Sequence, residues 1–456
     1  MSSITRSDEL RYANRAKVLA CLRTSGRQSR KQLANNTGLS AATITQVTAG
    51  LLEERVIIES DATNICAAPA TDAETLSGTD RAASNNPRRT RSNPRGRPQV
   101  VLEMNADAAT VATVTVNFDC IEVSVFDYTG NLLQQVTSET RTTRLTRKSL
   151  LGQVTRTLRR ALTAGKKGQQ ATAPSRLKHI TVACQGKVSK QDSKLLWSPL
   201  SQSEEINFGS HLRTQFGVSV SVDNDCNMIA SALYKLKQTT NINTEESHGD
   251  NIDATDEPEN FAAVLISYGI GLGLIHDGTI LTGSRSSGTE LGHMQIAVDG
   301  PLCRCGKRGC IEAYASNYAI WRRVRGVPPD QMVDATICRD EMKTIFNAAA
   351  AADGIERQAL HDAGTAIGHG LANLFAIFDS FPTQLVGLDQ PATRFVVEGI
   401  RERLSDGGDA TNNELVSVHD RDSEVELIRK GAAMQSLNYV DSQLFSVGTA
   451  NIALPH

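Results

Sequence analysis

Three cysteines lie close together in the run Cys303-Arg304-Cys305-Gly306-Lys307-Arg308-Gly309-Cys310, with His293 upstream and the carboxylates Glu290 and Glu312 on either side. Thiolate and imidazole donors suit tetrahedral zinc better than magnesium or calcium, which prefer oxygen. Two thiolates one residue apart can face the same ion only if the chain turns sharply after them, and Gly306 and Gly309 permit such turns. Cys-x-Cys is tighter than the usual Cys-x2-Cys knuckle, so buried apolar cysteines or a redox pair are the competing readings. The glycine turns and the flanking basic residues favour a metal. The expected ligands are Cys303, Cys305 and Cys310, with His293 the candidate for the fourth position. With four donors and no open position, the zinc is expected to be structural.

Those donors need a scaffold. The chain has 456 residues, enough for about two or three domains with their own cores. Its net charge of −2 offers no global electrostatic case for nucleic acid. Of the nine cysteines, those outside the cluster are scattered singly (Cys21, Cys66, Cys120, Cys184, Cys226 and Cys338) and do not resemble a secreted disulfide framework. A cytoplasmic location is therefore expected. The N-terminus lacks an apolar signal core, and the most apolar stretch, 261–275, is interrupted by Ser267 and by glycines, so no membrane span is expected.

Apolar runs at 111–116 and 121–126 predict strands joined by a short turn, with another turn at Thr129-Gly130. Further strands are predicted at 180–183, 218–222 and 262–267, and helices at 228–237 and 362–378. Alternation of the two types makes the large part α/β. Polar segments at 59–95, 238–260 and 405–422 read as a low-complexity linker and two inserted surface loops.

Near the N-terminus, Ile4, Leu10, Val18, Leu19 and Leu22 suggest a first helix ending near Gly26. Ser29 caps a short helix carrying Leu33 that stops at Asn36-Thr37-Gly38. Leu39 follows as a buried turn residue, and Ser40 caps a further helix over 41–52 with Ile44, Val47, Leu51 and Leu52 inside. This is a helix-turn-helix pattern, and an ordinary helical hairpin is its competitor. Its second helix turns Ser40, Ala42, Thr43, Thr45 and Gln46 outward, small or polar residues able to approach base edges. Strands at 56–58 and 100–104 extend the pattern to a winged helix. Arg97 is expected at the wing tip, at the end of a basic run of Arg88, Arg89, Arg91 and Arg95 that could equally be a solvated linker. The expected domains are a winged helix-turn-helix over 1–58, a linker and wing over 59–104, and a large domain over 105–456.

The glycine series Gly269, Gly271, Gly273, Gly278, Gly283 and Gly288, then Glu290-Leu291-Gly292-His293, then the cysteine cluster through Glu312, together resemble the signature of the ROK family of repressors, uncharacterised proteins and sugar kinases. The resemblance covers nearly the whole chain. It implies a two-lobed actin-like ATPase fold of the ribonuclease H type, preceded by the winged helix of the family's repressor branch. It also implies a sugar site: Asn224 and Asp225 match the family's Asn-Asp pair, Glu290 and Glu312 its hydroxyl-gripping carboxylates, and His293 the residue touching both sugar and zinc. In the kinases the aspartate is the general base, so Asp225 would be a relic of it; it can also cap the helix that follows.

Three departures fall on the nucleotide side. The phosphate turn, glycine-rich in the kinases, reads Asn117-Phe118-Asp119-Cys120-Ile121; the second phosphate loop reads Ser267-Tyr268-Gly269; and Gly387 stands alone where the family has a glycine pair at the adenosine. The chain is therefore expected to be a sugar-responsive DNA-binding regulator of the repressor kind, not an enzyme. Its implied partners are operator DNA, a sugar or sugar-phosphate effector, and further copies of itself in a homodimer or homotetramer. A sugar kinase with an N-terminal DNA-binding appendage is the alternative.

Overall fold

The computed structural model describes residues 6–61, 100–163, 176–199, 205–245, 260–284, 288–333, 337, 339–389, 391–405 and 414–444. Arg97 and its basic run lie outside them. The chain divides into two compact units, Met1–Ala108 and Ala109–His456.

In the first unit, helices Arg6–Ser25, Arg30–Thr37 and Ala41–Glu53 pack around Leu19, Leu22, Leu33, Ile44 and Leu51. Ser29 closes a capping box with Gln32, Gly38 adopts the left-handed conformation that ends the second helix, and Ser40 caps the third. Strand Val100–Met104 pairs antiparallel with Ile57–Asp61 on one edge and with Gln28–Ser29 on the other, forming a small three-stranded sheet. The apolar stripe of the first helix is shorter than its sequence suggests, because Leu10 is 66% exposed. Leu39 and Leu52 are half-buried rather than buried.

The second unit contains two five-stranded sheets with one repeated topology. In the first sheet, Thr110–Val116, Cys120–Asp127 and Leu132–Glu139 form an antiparallel meander, and Leu177–Cys184 and Ser219–Asn224 add in parallel on the other side of Thr110–Val116. In the second, Phe261–Ile266, Ile270–His276 and Thr279–Ile280 form the meander, and Thr383–Val386 and Val416–Val418 add in parallel. The duplicated order is that of a two-lobed actin-like domain. Helix Asp225–Glu245 packs on the second sheet and helix Glu424–Leu444 on the first, and the two pack on each other. Helices Ile355–Phe378 and Thr393–Ser405 contribute to the main core of the second lobe.

Two segments expected to be surface loops are partly regular. Helix Asp225–Glu245 continues eight residues into the polar stretch, and Val416–Val418 is the fifth strand of the second sheet. Few apolar residues mark either one, since a short edge strand needs only alternate buried positions. Among the described residues, no helix is long and apolar enough to cross a membrane.

Candidate functional site

Strands Leu177–Cys184 and Ser219–Asn224 end beside a cleft between the two lobes. The carboxyl ends of parallel strands are where an open α/β sheet leaves room for a ligand. Asn224, Asp225, Glu290, His293 and Glu312, five residues from three separate stretches of the sequence, all line this cleft.

The first lobe contributes the Asn-Asp pair. Asn224 donates from Nδ2 to the Gly186 carbonyl at 3.0 Å and accepts from the Cys226 amide at 2.8 Å. Asp225 begins helix Asp225–Glu245 and accepts from the same amide at 2.9 Å while facing the cleft, so the cap expected of Asp225 is supplied by Asn224, the residue before the helix. Burial raises its carboxyl pKa to about 6, with the Cys226 hydrogen bonds opposing the shift. Neighbouring Asp223 is 1% exposed and holds the turn in place: Lys190 pairs with it at 2.6 Å, Gln435 of the C-terminal helix donates at 2.7 Å and Asn227 at 2.8 Å.

The second lobe contributes the carboxylates and the cysteine cluster. Burial raises the pKa of Glu290, with Lys187 opposing, and that of Glu312 to about 7, with Arg304 opposing. Donor atoms of His293, Cys303, Cys305 and Cys310 all lie within 4.8 Å of one another. Cys305 Sγ and Cys310 Sγ are 3.7 Å apart, and Cys303 Sγ is 3.7 Å from His293 Nδ1. A tetrahedral ion with bonds of about 2.3 Å needs donor separations of about 3.8 Å. The set can therefore hold one metal ion. The turns that fold it are as expected: Gly306 and Gly309 have φ of 85° and 68°. The other imidazole nitrogen, Nε2, faces Glu290 Oε2 at 3.9 Å.

Sequence reasoning missed several lining residues. Trp197, at the end of the hairpin Lys187–Ser189/Lys194–Trp197, stands edge-on to His293 with ring centroids 6.2 Å apart. Gln185, Tyr268 and Arg304 also line the cleft. The available signals were the rarity of tryptophan in this chain and the position of Arg304 inside the Cys-x-Cys pair.

Two of the three departures on the nucleotide side meet in space. Phe118 is 4% exposed and its ring lies 4.4 Å from that of Tyr268. The turn that carries Phe118 is stitched down by Thr142, whose hydroxyl donates to the Asn117 carbonyl at 2.6 Å and whose amide donates to the Phe118 carbonyl at 2.9 Å. Ile121, the other large apolar residue of that turn, is fully buried in the first lobe's core. Gly387 has φ 94° at the end of strand Thr383–Val386.

In the first unit, Ala42, Thr45 and Gln46 are exposed and Thr43 is half-buried. The Ser40 hydroxyl is committed to the helix cap, accepting from the Thr43 amide at 3.1 Å, and Thr45 Oγ1 donates to the Ala41 carbonyl at 2.8 Å.

A duplicated α/β domain with a histidine–cysteine cluster beside its interlobe cleft, in one chain with a three-helix unit that carries a small antiparallel sheet, defines the class. The chain belongs to the ROK family, whose profile matches residues 113–386. It is 26% identical over 287 residues to the xylose repressor of Bacillus subtilis, a match covering 62% of this chain and 65% of that protein. Over 228 residues it is 25% identical to the DNA-binding transcriptional dual regulator NagC of Escherichia coli, covering 50% of this chain and 52% of that one. A shorter match, 46% over 61 residues, covers 13% of this chain and 21% of an N-acetylmannosamine kinase of Vibrio cholerae. The crystal structure of a ROK family transcriptional regulator described as a homolog of the E. coli MLC protein superposes with a TM-score of 0.69 over 96% of this chain and 100% of that one, at 19% identity. A ROK glucokinase of Streptomyces griseus, in complex with glucose and AMPPNP, shares the fold over 72% of this chain and 100% of its own, with a TM-score of 0.54 at 20% identity.

Proposed function

We propose that this chain is a sugar-responsive DNA-binding transcriptional repressor whose ROK domain binds a sugar or sugar derivative and no longer handles ATP. The observation that carries this reading is the contrast within one domain: the carboxylates and carboxamides that suit a polyol converge on the cleft, while the phosphate turns carry the Phe118–Tyr268 pair. Its similarity to a xylose repressor over 62% of its length supports the same reading.

In this reading the effector is held by Asn224, Asp225, Glu290, His293 and Glu312, with Asp225 a relic base rather than a catalyst. A structural zinc on His293, Cys303, Cys305 and Cys310 supplies rigidity to the loop that carries Glu290 and Glu312, so little ordering entropy is lost on binding. Residues 1–58 form the DNA-reading domain, with Ser40 capping the recognition helix, Ala42, Thr43, Thr45 and Gln46 facing the major groove, and Arg97 at the wing. Residues 59–104 link them to the sensor at 105–456. A homodimer or homotetramer presents paired winged helices to a two-fold operator, and effector binding changes their spacing. Reciprocity requires that operator DNA change sugar affinity by the same factor.

The experiment is a thermal-shift screen with sugars and sugar phosphates, followed by titration of the hit with and without selected operator DNA. Equal sugar affinity in both titrations removes the regulatory link. The buried carboxyl of Asp225 favours a second reading, a sugar kinase with a DNA-binding appendage. Tight magnesium-dependent ATP binding by the purified chain would establish it in place of the first.

A further inference from the structure

The charge of this near-neutral chain is unevenly spread. Between Glu139 and Asp192 the sequence contains no acidic residue, yet it is rich in arginine and lysine. In the fold this segment supplies helix Arg147–Thr163, which covers the outer side of the first sheet's meander and packs beside helix Phe208–Phe216. The inward face of the first helix is apolar, with Leu150, Val154, Leu158, Ala161 and Leu162 buried. Its outward face exposes Arg147, Lys148, Arg156, Arg159 and Arg160, and the neighbouring helix adds exposed Arg213. Among the described residues, none of these six side chains pairs with a carboxylate. Arg159 instead donates to the neutral Gln215 at 2.8 Å, and Arg156 to Gln153.

Folding does not account for this arrangement. Arg147 and Lys148 occupy the first turn, where the helix dipole disfavours cations, and no acidic residue is there to offset them. Arg156 repels Arg159 and Arg160 across one helical turn. A helix that only needed solubility would mix signs on its outer face. A polyanion lying along this surface removes both costs.

We propose that the outer face of helix Arg147–Thr163, with Arg213, is a second nucleic-acid surface that contacts the phosphate backbone of duplex DNA without reading its sequence. The inference rests on the repressor reading, since that reading brings DNA to this chain. Guanidinium groups on a rigid helix face suit phosphate oxygens, and each contact made releases counterions, so binding becomes steeper in salt.

The test uses the full chain and a long random-sequence duplex, with affinity followed across salt concentration. The triple variant Arg156→Gln, Arg159→Gln, Arg160→Gln is expected to lower the magnitude of the log-affinity slope by about 2 to 3. The corresponding triple lysine variant should restore it, which separates loss of charge from loss of folding. A slope unchanged by the glutamine triple, in a chain whose DNA binding is weakened by Thr45→Ala with Gln46→Ala, overturns this proposal and leaves the repressor reading standing. A slope that drops in the glutamine triple, in a chain indifferent to the Thr45 and Gln46 changes, supports the surface and overturns the winged-helix reading. Patch-dependent binding of poly-L-glutamate with an unchanged DNA slope would assign the face to an acidic protein instead, and no DNA binding by the native chain overturns both.

Discussion

Phe118 and Tyr268 place their rings 4.4 Å apart, one on the first hairpin of the first lobe and the other on the first hairpin of the second. The pair joins equivalent turns of the two duplicated sheets. From Tyr268 the contacts continue into the cysteine cluster: Arg304 donates to the Tyr268 carbonyl at 3.3 Å, and its guanidinium stacks 3.9 Å above the Tyr318 ring. Truncating Phe118 to alanine is expected to lower stability by about 3 kcal/mol or more, because the side chain is buried. Tyr268→Ala should cost less, since that residue is half-buried. The double variant should fall short of the sum by about 1 kcal/mol, the share belonging to the ring pair itself, as measured by urea unfolding.

Cys305→Ser removes one of four donors from the cluster. Elemental analysis of the native chain is expected to give stoichiometric zinc, and of the variant little or none. The thermal midpoint should fall by several degrees, and sugar binding should weaken with it. Full sugar affinity in metal-free protein would separate the cluster from the cleft.

Glu290→Gln removes a negative charge from the cleft, and Asn224→Ala removes a carboxamide that also bonds the Gly186 carbonyl and the Cys226 amide. For the sugar found by thermal shift, calorimetry should show each variant weaker by about 1.5 to 3 kcal/mol, on the order of tenfold to a hundredfold. Operator release should require correspondingly more effector.

The pH dependence expected from Asp225 has a definite sign. An unfolded aspartate ionises near 3.8 and the folded one near 6, because burial disfavours the charge. Between those values the folded state binds the extra proton, so this group's contribution to stability declines as pH rises through the window and the full penalty persists above it. Asp225→Asn should therefore be more stable than the native chain at pH 8, by up to about 3 kcal/mol. The difference should shrink toward zero as pH falls to about 4. Chemical denaturation at a series of pH values measures it.

Ser40→Ala should destabilise the third helix by about 1 kcal/mol through loss of its cap. Gln46→Ala, on the exposed face of the same helix, should leave stability unchanged and cost about 1 to 3 kcal/mol in binding to a selected operator. A gel-shift titration with that operator and with random DNA distinguishes lost specificity from lost folding.

The sequence made some elements far more legible than others. Thr110–Val116 and Phe261–Ile266 are buried along their whole length; the second reads as a continuous apolar run and the first as a run of valine, alanine and threonine rich in β-branched residues. The cysteine cluster was legible because its glycines must turn the chain. Helix Glu424–Leu444 was not, although it packs on the first sheet. Its inward residues include Ser436 and Asp441, fully or nearly buried, which bond to Thr181 at 2.6 Å and Tyr128 at 2.5 Å. A helix that buries hydroxyls and a carboxylate against partners remote in sequence shows no clean apolar stripe. The cleft was half legible: its carboxylates followed from the signature, whereas Trp197 and Arg304 enter it only through the folding of a hairpin and a loop.

The imidazole of His293 is shared, with Nδ1 toward Cys303 and Nε2 toward Glu290. A cation on Nδ1 leaves the ring only one place for its proton, so Nε2 becomes a fixed donor. The metal would then act as a tautomer lock on the cleft. With the metal in place, Nε2–H would be a donor to Glu290 or to a ligand atom with a free lone pair.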